Sequence, residues 1–326
     1  MSSKSAIETL NLTKKFNGVK AVDDLSLKIE HGEVFGLLGP NGAGKTTILM
    51  MLTTLIQPTA GTALVNGYDI RKEQDKVRKS IGIVFQDPSS DDILTGYENL
   101  KLHAMLYDVP DEVVESKIGE VLKLVDLEDR KKELVKNYSG GMRRRLEIAR
   151  GLLHQPAVLF LDEPTLGLDP QARERIWQYI RKLANEKNVT IVLTTHYMEE
   201  ADLLCNRIAI IDKGKIVALD TPGNLKKIIG GDIIRIKSPE PNIEAIRKLD
   251  FVKKVEMVDG TVSITVEGAR RHLTTILEAI GKVDSVYVRE PTLNDVFLHY
   301  TGGEMEDSGA EGGWAERMMS AQTRGR

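Results

Sequence analysis

Gly39-Pro40-Asn41-Gly42-Ala43-Gly44-Lys45-Thr46-Thr47 is the stretch of sequence that decides the fold. An apolar run precedes it and residues 48–52 continue it, which predicts a strand on one side and a helix on the other. Glycines at both ends and a closing Lys-Thr pair have the spacing of a phosphate-binding loop. Because glycines let backbone N–H groups approach phosphate oxygens at a helix start, we predict that this loop binds a nucleoside triphosphate. An ordinary glycine-rich turn is the alternative, and the flanking strand and helix patterns favour the phosphate site.

Two side chains of this loop have the chemistry that a bound triphosphate requires. Lys45 is predicted to reach the β- and γ-phosphates. The Thr46 hydroxyl is predicted to ligate the Mg²⁺ ion that bridges these phosphates.

Composition limits the other classes of function. The 326 residues suggest a main domain with a smaller one, and 41% apolar content is sufficient for real cores. A net charge of −3 gives no general attraction to nucleic acid, so no nucleic-acid partner is expected. The single cysteine fits a reducing cytoplasm. No apolar stretch approaches the ~20 residues of a membrane span, so any membrane role is expected to need a partner.

Two acids and one histidine follow buried strands further along the chain. Asp162 and Glu163 end one apolar run, and His196 ends another. The carboxyl ends of parallel strands share one edge of a sheet, so these side chains should lie near the loop. Asp162 is predicted to hold Mg²⁺, Glu163 to deprotonate an attacking water, and His196 to hydrogen-bond the γ-phosphate. Acids that merely cap a strand and a structural histidine are the alternatives.

Residues from about 87 to 154 are predicted to be a mainly helical insertion in an α/β domain. Thr95-Gly96-Tyr97-Glu98 has the spacing of a capping box at a helix start. Ser139-Gly140-Gly141 precedes another helix, where a hydroxyl and free N–H groups would form a second anion-binding site. The run Arg143-Arg144-Arg145 in that helix is interpreted as a solvated face.

The C-terminal third has the pattern of a separate small domain. Strands and helices between about residues 226 and 302 are predicted in the order β-α-β-β-α-β, which is typical of a ferredoxin-like α+β unit. Residues 303–326 have almost no apolar content and are predicted to be a disordered tail.

Near the N-terminus, Leu25 to Ile29 is predicted to be a strand. Phe16 precedes a turn, where stacking on a nucleotide base and packing in the core are both open.

Taken in order, these motifs resemble those of the nucleotide-binding subunits of ABC transporters over roughly residues 5 to 225. Gly39 to Thr47 resembles Walker A, and Val158 to Asp162 resembles Walker B followed by the catalytic Glu163. The other matches are Gln86 for the Q-loop, Ser139-Gly140-Gly141 for the signature motif, Leu168-Asp169 for the D-loop, His196 for the switch histidine and Phe16 for the base-stacking aromatic. Tyr138 and Met142 depart from the usual signature residues, while the serine and both glycines are kept.

The resemblance implies a P-loop NTPase fold with a RecA-like core, an antiparallel β subdomain and a helical subdomain. It implies that ATP and Mg²⁺ are bound, with Thr46, Gln86 and Asp162 as the metal ligands. It implies that Lys45, Gln86, Glu163 and His196 serve catalysis. It also implies a homodimer that encloses two ATP molecules and drives a separately encoded permease from the cytoplasmic side of the membrane. Residues 290–298 resemble the segment that closes the ATPases of drug- and lipid-exporting systems such as the daunorubicin-resistance group.

Two other functions are compatible with part of this pattern. One is a soluble ABC-type ATPase that acts on cytosolic assemblies, and the other is a non-catalytic adaptor gated by ATP. The first often has two cassettes or a DNA-binding insertion, and neither is visible in the sequence. Glu163 and His196 argue against the second, because a binding-only protein has no use for a general base.

Overall fold

The chain folds into two units, one ending at Leu219 and one beginning at Asp220. The computed structural model describes residues 5–187, 189–258 and 260–301. The tail predicted over residues 303–326 lies outside the described residues.

The division falls just before a short helix. Residue 225, where the sequence analysis ends the first domain, lies inside this helix, which belongs to the second unit. The Thr221 hydroxyl accepts a hydrogen bond from the Asn224 N–H and so caps the helix start. The second unit therefore opens with a capped helix.

The first unit contains two sheets and seven described α-helices. Its strands are β1 (Ile7–Phe16), β2 (Val19–Leu25), β3 (Lys28–Ile29), β4 (Val34–Leu38), β5 (Ala60–Val65), β6 (Tyr68–Asp69), β7 (Ile81–Val84), β8 (Val158–Asp162), β9 (Thr190–Thr195), β10 (Arg207–Asp212) and β11 (Lys215–Asp220). Its helices are α1 (Lys45–Leu52), α2 (Gln74–Ser80), α3 (Gly96–Leu106), α4 (Asp111–Leu124), α5 (Gly140–Leu152), α6 (Pro170–Lys187) and α7 (Met198–Leu204).

The central sheet has the strand order β11-β10-β4-β9-β8-β7. Strands β10, β4, β9, β8 and β7 pair in parallel, and β4, β8 and β9 are buried along their whole length. Apolar strands covered on both faces are the form that a parallel sheet requires. The segments after β4, β7, β8 and β9 therefore meet at one edge, as the sequence predicts. This arrangement confirms the P-loop NTPase core.

A close contact within this sheet involves the one cysteine of the chain. Cys205 is buried beside β4, and a Cβ atom built on Gly36 would lie 2.7 Å from its Sγ atom. Glycine is thus required at residue 36 because the cysteine side chain fills the space. Burial raises the pKa of the Cys205 thiol.

The second sheet is the antiparallel layer β2-β1-β5-β6, with β3 also paired to β1. The prediction of one strand from Leu25 to Ile29 is wrong, because β2 ends at Leu25 and β3 begins at Lys28. The Thr9 hydroxyl donates to the Leu25 carbonyl and accepts from the Leu27 N–H. This buried side chain replaces the regular ladder bonds and breaks the strand.

Three helices, α3, α4 and α5, lie between β7 and β8, where the sequence predicts a helical insertion. The capping box at Thr95 is confirmed: its hydroxyl accepts from the Glu98 N–H, and the Glu98 carboxylate accepts from the Thr95 N–H. Ser139 caps α5 in the same manner, accepting from the Met142 N–H. No helix in the described ranges is long and apolar enough to cross a bilayer.

The second unit is a four-stranded antiparallel sheet with helices against it. Its elements are α8 (Pro222–Lys227), β12 (Asp232–Lys237), α9 (Ile243–Arg247), β13 (Val252–Val258), β14 (Thr261–Val266), α10 (Ala269–Ile280), β15 (Ser285–Arg289) and α11 (Leu293–Thr301). The strand order β13-β14-β12-β15 is that of a split βαβ unit, so the ferredoxin-like prediction is confirmed. Its core joins Ile234, Val262 and Ile264 to Ile246 and Ile276 of the helices.

Candidate active site

The phosphate-binding loop is shaped by glycines with different roles. Gly44 has a φ of 105°, and a Cβ atom there would meet the Ala21 carbonyl oxygen at 2.4 Å. A Cβ atom on Gly39 would meet the Ile211 carbonyl oxygen at 2.3 Å. Gly42, with a φ of 79°, has nothing within 4 Å of the same position. The loop is therefore packed tightly on its inner side and open above Gly42, as a phosphate cradle must be.

Lys45 is the first residue of α1, and its side chain folds back over the loop. Its Nζ atom donates to the carbonyl oxygens of Gly39 at 2.7 Å and Pro40 at 3.0 Å. The side chain is only 5% exposed. A cation at a helix N-terminus beside an open glycine cradle fits the β- and γ-phosphates of a nucleotide.

A hydroxyl and a carboxylate face each other beside this loop. The Thr46 Oγ1 atom donates to Asp162 Oδ1 at 3.4 Å, and the Thr194 Oγ1 atom donates to the same oxygen at 2.5 Å. Burial raises the pKa of Asp162, whereas the bond from Thr194 and the charge of Lys45 lower it. Oxygen ligands in this pairing fit Mg²⁺, which prefers one or two protein oxygens together with phosphate oxygens.

Glu163 lies between a lysine and a histidine. Its Oε1 atom is 3.8 Å from Lys45 Nζ, and its Oε2 atom is 3.3 Å from His196 Nδ1. Its backbone has a φ of 46°, in the left-handed region that few non-glycine residues adopt. The Glu163 N–H donates to both Oγ1 and the carbonyl oxygen of Thr194, at 3.0 and 3.2 Å, and these bonds hold the unusual turn. The carboxylate is thereby held beside Lys45, the lysine of the glycine loop.

Gln86 follows β7 by two residues, at the same edge of the sheet. It is partly buried, and the residues after it, Asp87 and Pro88, are exposed.

Phe16 ends β1 and is 39% exposed, with Lys14 Nζ lying 5.0 Å from its ring centre. An accessible aromatic face of this kind can stack on a base.

The signature residues belong to a different cluster. A Cβ atom on Gly140 would face Leu168, and one on Gly141 would face Ala172, so the signature packs beside the D-loop and the start of α6. A cavity of about 190 Å³ lies here, lined by Ser139, Gly141, Arg145, Asp169, Gln171, Ala172, Arg175 and Ile176. Two arginines and a capping serine contribute hydrogen-bond donors to this cavity, beside the carboxylate of Asp169.

Sequence reasoning missed three buried side chains that hold this site. Thr194 joins Asp162 to Glu163 through one hydroxyl group. Glu200 is fully buried, and its Oε1 atom accepts from Thr165 Oγ1 at 2.9 Å and Trp177 Nε1 at 3.0 Å. The available signal was position: Thr194 lies two residues before His196, and Glu200 lies four residues after it.

The third is Arg144, and the interpretation of residues 143–145 as a solvated face is wrong for it. The Arg144 side chain is 8% exposed and donates to three main-chain carbonyls, those of Phe85, Asp162 and Pro164. Burial lowers its pKa to about 10, so it still carries its charge at neutral pH.

A core of parallel strands, a glycine loop opening onto a helix, and a general-base candidate above it define a P-loop ATPase cassette. The chain matches the ABC transporter family over residues 22–166, and the DrrA1-3-like C-terminal domain of ATP-binding proteins over residues 221–301. It is 40% identical to the daunorubicin/doxorubicin resistance ATP-binding protein DrrA of Streptomyces peucetius, over 94% of this chain and 95% of that protein. It is 37% identical to the linearmycin resistance ATP-binding protein LnrL of Bacillus subtilis (strain 168), over 92% of this chain and 100% of that protein.

Solved structures agree with this comparison. The cbiO1 protein of Clostridium perfringens, part of the ABC transporter complex cbiONQ, aligns with a TM-score of 0.64 at 29% identity, covering 69% of this chain and 93% of that one. The ATP-binding cassette MJ0796, in a dimeric post-hydrolysis state bound to ADP and Pi, aligns with a TM-score of 0.60 at 29% identity, covering 66% and 98%. The chain belongs to the ABC transporter family of ATP-binding proteins, and it is an ATPase.

Proposed function

We propose that this chain is the motor subunit of an exporter whose membrane-spanning permease is a separate polypeptide. The observation that carries the proposal is the group formed by Lys45, Glu163 and His196 above the glycine loop. The end-to-end similarity to ATP-binding proteins named for drug resistance supports the exporter class.

Hydrolysis in this proposal is performed by side chains already placed around the loop. Lys45 leaves the carbonyl oxygens of Gly39 and Pro40 and binds the β- and γ-phosphates of ATP. Glu163 takes a proton from the water that attacks the γ-phosphorus, and His196 hydrogen-bonds the γ-phosphate. A Mg²⁺ ion held by Thr46, Gln86 and Asp162 would neutralise charge on the phosphate oxygens. Phe16 stacks on the adenine ring.

The signature motif supports a homodimer. Ser139, Gly140 and Gly141 lie beside the D-loop, and none of the residues lining their cavity belongs to the glycine loop. In a head-to-tail pair, the signature cavity of each copy faces the glycine loop of the other copy, so that two ATP molecules are enclosed. The dimeric MJ0796 cassette, bound to ADP and Pi, supports this arrangement.

The permease contact is proposed for the segment that follows Gln86 and for the exposed side of α3. Ile93, Met105 and Leu106 are 76%, 68% and 71% exposed, so this subdomain presents large apolar side chains to solvent. A cytoplasmic surface of this composition fits a short apolar segment of a membrane protein. Movement of Gln86 with the nucleotide would reach that segment directly.

Site-directed cross-linking in membranes of the source cell tests the proposal. The Ile93→Cys variant, labelled with a photoreactive reagent, should capture a protein that contains membrane-spanning helices. The matched control is Glu256→Cys on strand β13 of the second unit, and the native Cys205 does not compete because it is buried. Capture only from residue 256 would overturn the placement of the contact. Capture of a soluble protein from residue 93 would favour the cytosolic ATPase or the adaptor instead.

A further inference from the structure

Helix α5 holds the Q-loop at two points, one on each side of Gln86. The first point is Arg144, whose guanidinium donates to the Phe85 carbonyl through Nη1. The same group donates to the Asp162 carbonyl at 2.7 Å through Nη2 and to the Pro164 carbonyl at 2.8 Å through Nε. One side chain therefore fixes α5 to the ends of two strands that carry the site.

The second point is Glu147, one helical turn further along α5 and 4% exposed. Its Oε1 atom accepts from the backbone N–H groups of Ser89 at 3.2 Å and Ser90 at 2.7 Å. Its Oε2 atom accepts from the Ser89 hydroxyl at 2.9 Å. Arg150 donates to both carboxylate oxygens and to the Ser89 hydroxyl, which fixes the orientation of the carboxylate.

These two side chains hold the Q-loop on both sides of Gln86. Phe85 is bound directly before Gln86, and Ser89 is bound three residues after it, so that only residues 86–88 lie between the two points. Asp87 and Pro88 are exposed. A buried carboxylate that accepts two backbone N–H bonds is a strong, directional contact, because charge-assisted hydrogen bonds are short and resist distortion. A tilt of α5 must therefore displace Gln86.

The N-terminus of the same helix carries Ser139, the capping residue of the signature motif. Gln86 belongs to the ATP site of its own copy, whereas Ser139 serves the site completed by the second copy in the proposed dimer. We infer that Arg144 and Glu147 are positioning residues which make α5 a rigid link between the Q-loop and the signature motif, and so between the two ATP sites. This inference rests on the proposed function.

The first test uses the full-length protein without nucleotide. Glu147→Ala should increase hydrogen exchange in the segment covering residues 86–92, because the Ser89 and Ser90 N–H groups lose their acceptor. Glu147→Gln keeps an acceptor oxygen and should restore part of the protection. Glu112→Ala, an exposed acid on α4, is the matched control and should change nothing in this segment.

Adding Mg-ATP tests the link itself. In the wild-type protein, nucleotide should change hydrogen exchange over residues 86–92 and over residues 139–143 together. In Glu147→Ala the response at 139–143 should be lost while ATP is still bound with unchanged affinity, since Lys45 and the glycine loop are not altered. A response at 139–143 that persists in Glu147→Ala would overturn the inference. Failure of the wild-type protein to bind ATP would instead overturn the proposed function.

The kinetics of ATP hydrolysis test the positioning role of Glu147 independently. Glu147→Ala should lower kcat by about 10- to 100-fold, as removal of a residue that orients a metal ligand typically does, with KM for ATP unchanged. In the Gln86→Ala background the same substitution should cause no further loss of single-turnover rate, because both act through Gln86. Losses that multiply in the double variant would show that Glu147 acts by another route. An increase in KM for ATP with kcat unchanged would show that Glu147 acts on ATP binding and would overturn the positioning role.

Discussion

The Nζ atom of Lys45 lies 3.8 Å from Oε1 of Glu163, and both side chains are at most 10% exposed. The cation that fits a phosphate and the carboxylate that fits a water molecule therefore face each other across the glycine loop. Because a nucleotide would draw Lys45 towards its phosphates, binding should free Glu163 to accept a proton. Replacing Lys45 should therefore impair ATP binding, whereas replacing Glu163 should impair hydrolysis.

Lys45→Ala should weaken ATP binding by about 10- to 100-fold, because it removes a charged hydrogen bond to phosphate. Titration with a fluorescent ATP analogue measures the affinity directly. Lys123→Ala, at the exposed end of α4, is the control and should bind as the wild type does. An unchanged affinity of Lys45→Ala would show that the loop binds phosphate without this side chain.

Glu163→Gln should keep ATP affinity and reduce turnover by about 10²- to 10⁴-fold, because the amide cannot take a proton from water. The variant should accumulate as an ATP-bound dimer, which sedimentation velocity with Mg-ATP would detect. Hydrolysis near the wild-type rate would assign the general base to another residue. If the variant binds ATP as a monomer and does not hydrolyse it, Glu163 remains the general base but the proposed dimer is contradicted.

Thr194→Val should lower kcat by about 10- to 100-fold, because it removes the hydroxyl that donates to Asp162 and accepts from Glu163. Valine has nearly the shape of threonine, so the core of strand β9 stays filled. Thr194→Ser keeps the hydroxyl and should retain most of the rate. Phosphate release under steady-state conditions measures both variants, and equal rates for valine and serine would exclude this role.

His103→Phe should make stability less sensitive to acid. Burial, together with the charges of Arg150 and His154, lowers the pKa of His103 from 6.5 to about 3. Below pH 6.5 the unfolded chain gains a proton on this residue that the folded chain does not, so the free energy of unfolding falls as pH falls towards 3. The loss from this group is at most about 1.4 kcal/mol per pH unit.

Urea unfolding at a series of pH values measures this slope for the wild type and for His103→Phe. The phenylalanine ring keeps the packing against Tyr107, whose ring centre lies 4.6 Å away. His31→Phe, at an exposed position, is the matched control. If His103→Phe and the wild type lose stability equally on acidification, His103 is protonated in the folded state.

Truncation after Leu219 should leave ATP binding intact, because the predicted nucleotide site lies in the first unit. The related cassettes of known structure align over only 66–69% of this chain, which supports a first unit that folds alone. We expect the truncated chain to hydrolyse ATP with a steeper dependence on protein concentration, since the second unit would hold two copies together. Rate measurements over a range of concentrations decide this. Loss of ATP binding would make the second unit part of the ATPase.

Local signals in the sequence predicted much of this structure. Gly42 and Gly44 are predictable because they have positive φ angles, which glycine adopts most readily. Thr95 is predictable as a helix start because its capping box is complete within four residues. Helix α11 has a comparable local signal at its start, where Thr292 donates to Asp295 through both its N–H and its hydroxyl.

Sequence predictions are wrong or missing where contacts between distant segments of the chain determine the local structure. A run of arginines predicts a solvated face for Arg144 because it has no internal sign of burial, and the three acceptors of this side chain lie 18 to 59 residues away. The role of Thr194 has no local signal, because this residue joins the two acids only when β8 and β9 pair. The strand expected from Leu25 to Ile29 is broken by Thr9, which comes from another strand. No local pattern contains these contacts.

The burial of Cys205 against Gly36 gives the first unit an internal reporter of its own opening. The thiol is enclosed by β4 and the end of α7, and its raised pKa keeps it in the unreactive protonated form. A thiol reagent can therefore react only after this part of the sheet has separated. With one cysteine in the chain, the labelling rate follows a single event. Its change on adding nucleotide would measure how strongly ATP closes the nucleotide-binding core, with no substitution in the protein.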